Sequence, residues 1–228
     1  MNAAQSLLHL LLPATCHACG SVLVGNERLL CLDCQLALAG SPMPAAGGNP
    51  TELLMYGRTG CKAAASAMRF TQQSTVQRVV HAMKFHGSAE LCVAMGRDLG
   101  GTLLASGRFD TVEALVPVPL HWTRRLRRGY NQSLLLCQGI AQVMPRTIED
   151  SVLRRARATA QQSLRSGSQR EANVTAAFTV RHARRLEGRH VLLVDDVVTT
   201  GSTLAACVDA LSTIPGITIS IATLCIAI

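Results

Sequence analysis

The 228 residues carry a formal net charge of +8, with 48% apolar, 16% charged and only 3% aromatic side chains. That length accommodates one ordinary domain plus a small module, and the core must be mostly aliphatic. Lys62 and Lys84 are the only lysines, so the basic balance is an arginine balance, suited to an anionic partner such as a phosphorylated small molecule or nucleic acid.

Residues 1–15 hold a short apolar run, Leu7 to Leu12, stopped by Pro13. It is too short for a signal core or a membrane span and predicts a small amphipathic helix docked on the body. Two Cys-x-x-Cys pairs follow, Cys16/Cys19 and Cys31/Cys34. Four thiolates at this spacing suit one tetrahedral Zn²⁺ in a closed structural site, a zinc ribbon, with redox dithiols and disulfides as the alternatives. The other five cysteines (Cys61, Cys92, Cys137, Cys207 and Cys225) are isolated. This is not a disulfide framework, and it points to a reducing, cytoplasmic setting.

Gly40 to Pro50 holds three prolines and several glycines and is expected to be a linker without helix or ladder. It divides a module at 1–40 from a main domain at 51–228, with 41–50 between them. Leu53 to Tyr56 and Ala63 to Phe70 are expected to be two short strands. Val76, Val79, Val80 and Met83 lie at i, i+3, i+4 and i+7 and predict a helix over Thr75 to Phe85 stopped by Gly87. Ser88 is placed to cap a second helix carrying Leu91, Met95 and Leu99. His81 and His86 share no metal-ligand spacing.

Ala114 to Val118 predicts a buried strand. The loop after it, His121 to Gln132, is dense in arginine, with Arg124, Arg125, Arg127 and Arg128 beside Trp122, Tyr130 and Asn131. Arginines at a strand's carboxyl end, just before a helix from Ser133 to Met144, suit a polyanion; the alternatives are a solvated loop or a nucleic-acid patch. Val152-Leu153 opens another strand leading into Arg154, Arg155 and Arg157. The polar run Thr159 to Asn173 predicts a loop that closes over a ligand.

The run Val191 to Val194 predicts a strand buried on both faces. The acids Asp195 and Asp196 follow it, then Val197, Val198 and Thr199-Thr200-Gly201-Ser202-Thr203, then a helix with Leu204, Val208 and Leu211 on one face. Strand, acidic pair, hydroxyl-rich turn and helix start make a phosphate site. The helix amino end offers N–H groups to an anion, and the carboxylates are placed for sugar hydroxyls or Mg²⁺. Ile217 to Ile226 supplies one more buried strand. Strands alternating with helices predict an α/β fold with a parallel sheet and ligands at the strand carboxyl ends.

The 190–203 stretch resembles the phosphoribosyl-pyrophosphate (PRPP) signature of type I phosphoribosyltransferases. With the tandem cysteine pairs, His-Ala-Met-Lys-Phe-His-Gly at 81–87, Pro-Val-Pro-Leu-His at 117–121, Arg-Arg-Gly-Tyr-Asn-Gln at 127–132 and the Gln-Ser-Leu loop, the chain looks like a member of the ComF family of bacterial phosphoribosyltransferase-like proteins. The resemblance implies a type I phosphoribosyltransferase-like domain behind a small four-cysteine zinc-ribbon module, and an association with DNA uptake during natural transformation. It implies that Asp195 and Asp196 hold the ribose hydroxyls, directly or through Mg²⁺. Thr199 to Thr203 would cradle the 5′-phosphate together with Val197 and Val198, and Arg124, Arg128, Tyr130 and Asn131 would lie near the pyrophosphate. Purine-salvage relatives carry a third acid where this chain has Thr199, which argues against 6-oxopurine salvage. The first expectation is a Mg²⁺-dependent PRPP-binding transferase of unassigned acceptor. The second is a single-stranded DNA-binding accessory of the uptake proteins, with PRPP as a regulator.

Overall fold

The computed structural model describes residues 13–40, 42–85, 88–120, 129–155 and 177–227. The expected helix before Pro13, Gly87, the loop arginines Arg124 and Arg128, and the 159–173 run lie outside the described residues. The elements are α1 (Leu32–Ala39), α2 (Pro50–Met55), β1 (Ala64–Phe70), α3 (Thr75–Phe85), α4 (Ala89–Ala105), β2 (Ala114–Pro117), α5 (Gln132–Val143), β3 (Thr147–Ile148), β4 (Leu153–Arg155), β5 (Phe178–Val180), β6 (His190–Val198), α6 (Ser202–Leu211) and β7 (Thr218–Ala227).

Five strands form a sheet in the order β1-β7-β6-β2-β3, and all four pairings are parallel. β4 and β5 make a separate antiparallel pair. Val191, Leu192, Leu193 and Val194 are all fully buried, as their unbroken apolar run requires. Leu192 and Val194 belong to a buried cluster with α3, α4, α5 and the cysteine module on one face; Val191 and Leu193 belong to one with α2, α6 and the β4–β5 pair on the other.

Helices α4 and α5 cross at glycine. A Cβ on Gly139 would fall on the Val93 carbonyl and 2.7 Å from Gly96 Cα, and one on Gly96 would fall on the Leu136 carbonyl. Only bare backbone fits at this crossing.

Three local expectations change. Leu53 to Tyr56 belongs not to a strand but to α2 and its end, because Asn49 caps the helix by accepting from the N–H groups of Thr51 and Glu52, and Pro50 sits in the first turn. Proline loses nothing there, since that N–H has no helical partner. The 41–50 stretch is not free of ladder bonds: Pro42 bridges Met68, Met43 donates to Ala67 O at 2.8 Å, and Met43 and Ala45 are buried. Finally, Asp195 and Asp196 lie within β6, not after it.

Candidate functional site

The site sits where the sheet changes direction. From β2 the chain crosses through α5, on one face, outward to β3; from β6 it crosses through α6, on the opposite face, to β7. The two helices diverge above the carboxyl ends of β2 and β6 and leave a crevice, the usual ligand position in open α/β sheets. The β2 ladder ends at Pro117, opposite Val194. The next two residues of β6 are the acids, so they line the crevice where one neighbour has left. Their carboxylates also turn back on the chain: Asp195 Oδ1 accepts from Asp196 N at 2.9 Å and Asp196 Oδ1 from Val197 N at 2.8 Å.

Two residues hold the pair from above. Lys84, in the last turn of α3, places Nζ 3.0 Å from Asp196 Oδ2. Ser133, in the first turn of α5, donates its hydroxyl to Asp195 Oδ1 at 3.0 Å. Loss of water and the neighbouring Asp196 charge push the Asp195 carboxyl up to about 7, against smaller opposing effects from Asp196 N–H, Ser133 and Lys84. The cleft here measures about 200 Å³ and is lined by Lys84, Ser133, Arg155, Asp195, Asp196 and Thr203. Arg155 rests its guanidinium over the Phe178 ring, 5.4 Å from the centroid.

The hydroxyl-rich turn closes the other end. Gly201 caps α6 with φ 76° and no capping side chain, so the helix's first N–H groups face a concavity of about 50 Å³ formed by residues 197–204 and Asp195. Thr199, Thr200, Ser202 and Thr203 are exposed, whereas Val198 is 2% exposed and offers only backbone. Gly201 is held for its backbone on both sides, since a Cβ there would also meet Met55 Sδ at 2.9 Å.

Tyr130 and Asn131 line neither cavity, and their polar atoms are engaged by the scaffold. Tyr130 donates its hydroxyl to Met83 O at 2.9 Å, as Gln132 does its amide at 3.2 Å. They tie down the α3 end that carries Lys84. Asn131 caps α5 by accepting from Ser133 N and donates to Val118 O. Lys84, Ser133 and Arg155 join the site although no sequence motif assigned them a role in it. Lys84 had two visible signals, as one of two lysines in an arginine-rich chain and as a member of the 81–87 segment, but neither assigned it a role.

In the amino-terminal module, Cys16, Cys19, Cys31 and Cys34 bring their sulfurs within 4.8 Å of one another. Tetrahedral Zn–S bonds of about 2.3 Å need sulfurs roughly 3.8 Å apart, and Cys19 and Cys31 lie at 3.6 Å, so the donor set fits the ion. A larger groove of about 720 Å³ separates this module from α4, with Leu30, Leu36, Leu91 and Met95 in its lining. It shares no lining residue with the acidic cleft. Among the described residues, no helix is long and apolar enough to cross a membrane.

A parallel sheet with an acidic pair and a helix amino end sharing one switch-point crevice defines a phosphoribosyltransferase-type domain, and residues 131–227 match the phosphoribosyl transferase domain family. The DNA utilization protein YhgH of Escherichia coli is 38% identical over 130 residues, 56% of this chain and 56% of that protein. Competence protein F of Haemophilus influenzae is 40% identical over 93 residues, 40% of this chain and 41% of that one. Over these stretches the chain is similar to proteins named for DNA utilization and competence. Its matches span little more than half the length of the first of these relatives. Among solved structures, a glutamine PRPP amidotransferase from Bacillus subtilis superposes with a TM-score of 0.41 at 20% identity, over 59% of this chain and 26% of that one.

Proposed function

We propose that the crevice binds PRPP together with Mg²⁺. The supporting observation is the order of charge along it: an acidic pair in the floor, a helix amino end on one side, and the cations Lys84 and Arg155 in the cleft wall. A ribose carrying a phosphate at each end matches that order. The 5′-phosphate takes the N–H groups and hydroxyls of Thr199 to Thr203. The ribose hydroxyls donate to Asp195 and Asp196, directly or through the cation. Arg124 and Arg128 serve the pyrophosphate on the family resemblance alone.

The carboxylates are hard oxygen donors in a half-buried setting and suit Mg²⁺, which keeps most of its waters and binds through one or two carboxylates plus ligand phosphates. When bound, Mg²⁺ neutralises the pyrophosphate and favours its departure from C1. The protein's own part is to orient the sugar, with Ser133 and Lys84 fixing the acids before the ligand arrives. The acceptor has no recognisable pocket of its own among the described residues.

Zn²⁺ at the four cysteines completes the reading as a structural ion. The relatives' names extend it to DNA utilization and competence, with DNA and uptake proteins as partners in the cytoplasm. The single-stranded DNA alternative rests on the net charge and the arginine clusters at 124–128, 154–157 and 181–189; the last lies within the described residues, where Arg185 and Arg189 pair with Glu149.

The test is calorimetry with PRPP and Mg²⁺. Wild type binds, and a variant with both Asp195→Asn and Asp196→Asn loses at least a hundredfold in affinity. Equal affinity in the two proteins refutes the assignment.

A further inference from the structure

We infer that Arg58 is a positioning residue for the phosphate-binding turn, acting from a brace built out of residues 49–59. The inference deepens the PRPP reading and rests on it.

The brace is anchored at several points. Asn49 caps α2 and sends its amide hydrogens to Ala46 O at 2.8 Å and to Ala64 O, in β1, at 2.7 Å. Thr51 is fully buried and pairs its hydroxyl with Ser66 at 2.7 Å, which pairs with Thr223 at 2.6 Å. Thr223 is the register partner of Asp195 across β7 and β6. On the surface, Glu52 joins Arg108 at 2.7 Å. A six-residue helix has little stability alone; this one is fixed by buried hydroxyls and its cap.

The far end of the brace meets the turn. Met55, fully buried, packs beneath Gly201. Gly57, at φ 72°, ends the helix, and the N–H groups of Arg58 and Thr59 both return to Met55 O. Arg58 is thereby aimed at the turn, and its Nη1 donates to Thr200 O at 2.8 Å across 142 residues of sequence. A trans peptide points its C=O and the following N–H in opposite directions. Fixing Thr200 O on Arg58 therefore fixes Gly201 N–H facing away from the brace, toward the open side of the turn. Arg58 is absent from the lining of the small concavity, as expected for a residue acting from behind. Its positive charge, one turn removed, favours the same anion. Without it the Thr200–Gly201 peptide is free to flip, and a flipped peptide presents a carbonyl oxygen to the phosphate.

The experiment uses the full chain with Arg58→Ala and Arg58→Gln. Three probes are titrated: PRPP with Mg²⁺, ribose 5-phosphate, and pyrophosphate with Mg²⁺. Arg58→Ala is expected to weaken the first two at least tenfold and to leave pyrophosphate within twofold. Arg58→Gln, which keeps a donor, recovers most of the loss. A general structural defect would weaken all three probes together. ¹⁵N relaxation of the ligand-free proteins gives an independent measure: in Arg58→Ala the order parameters of Thr200 and Gly201 fall while those of Val191 to Val194 stay. Unchanged order parameters, or unchanged ribose 5-phosphate affinity in a wild-type background that binds it, overturn the role of Arg58. Failure of wild type to bind any probe counts against the PRPP reading, and the relaxation measurement still decides the positioning role.

Discussion

The acidic pair makes the ligand-free protein less stable than its sequence allows, and Asp195→Asn exposes this. Burial and Asp196 raise the Asp195 carboxyl from an ordinary 3.8 to about 7. At about 1.4 kcal/mol for each tenfold change in acidity, the ionised form carries a ceiling of about 4 kcal/mol of unfavourable energy. The side chain keeps some solvent contact, and screening reduces the realised cost to about 1–2 kcal/mol. Asparagine keeps an Oδ1 for both Ser133 Oγ and Asp196 N, the two bonds that Asp195 Oδ1 now accepts, and removes the charge. The folded carboxyl holds its proton more tightly than the unfolded one. The stability of the folded state is therefore greatest below the unfolded value of about 4, where both states are protonated, and it is progressively lost as pH rises from there through about 7. Asp195→Asn should thus melt about 3–6 °C above wild type at pH 8, given about 2–4 °C per kcal/mol for a chain of this size. The gap should shrink as pH falls and approach zero only at about pH 3, below the ordinary value, where Asp195 is neutral in the folded and unfolded states alike. Scanning calorimetry without ligand at both pH values is the assay. A variant that melts at or below wild type at pH 8, or a gap independent of pH, refutes the reasoning.

Two further outcomes follow from packing and the metal site. Gly139→Ala places a Cβ on the Val93 carbonyl, backbone against backbone, and should cost about 2–3 kcal/mol by chemical denaturation; Gly101→Ala, with nothing within 4 Å, should stabilise slightly through helix propensity, and equal effects would dismiss the close crossing. Protein purified without chelator should release one Zn²⁺ per chain when its thiols are titrated, and Cys16→Ser should abolish this and lower the melting temperature; a metal-free wild type with an unchanged melt would remove the zinc assignment.

The parts of this fold visible in the sequence are those that local pattern dictates. Val191 to Val194 had to be a doubly buried strand, and the 3.6 period at Val76 to Met83 had to be a helix. The acids and the Thr-Thr-Gly-Ser-Thr turn declared their chemistry because residue types and spacing suffice. What stayed hidden depends on contacts between distant segments. Lys84 meets Asp196, Ser133 meets Asp195 and Arg58 meets Thr200 only after the sheet has formed. The misassignment of Leu53 to Tyr56 has a different origin: the Asn49-Pro50 start signal was present, but the proline-rich surroundings read as linker outweighed it.

The cysteine module also changes meaning once its packing is counted. Cys16, Cys31, Cys34 and Leu38 belong to the same buried cluster as Val76, Val79 and Met83 of α3, and no polar layer divides them. Such a module is not a bead on a string. It and the helix that ends in Lys84 share one packed apolar cluster. The four sulfurs and the cation that guards the acids are thus joined through continuous buried packing rather than across a hinge.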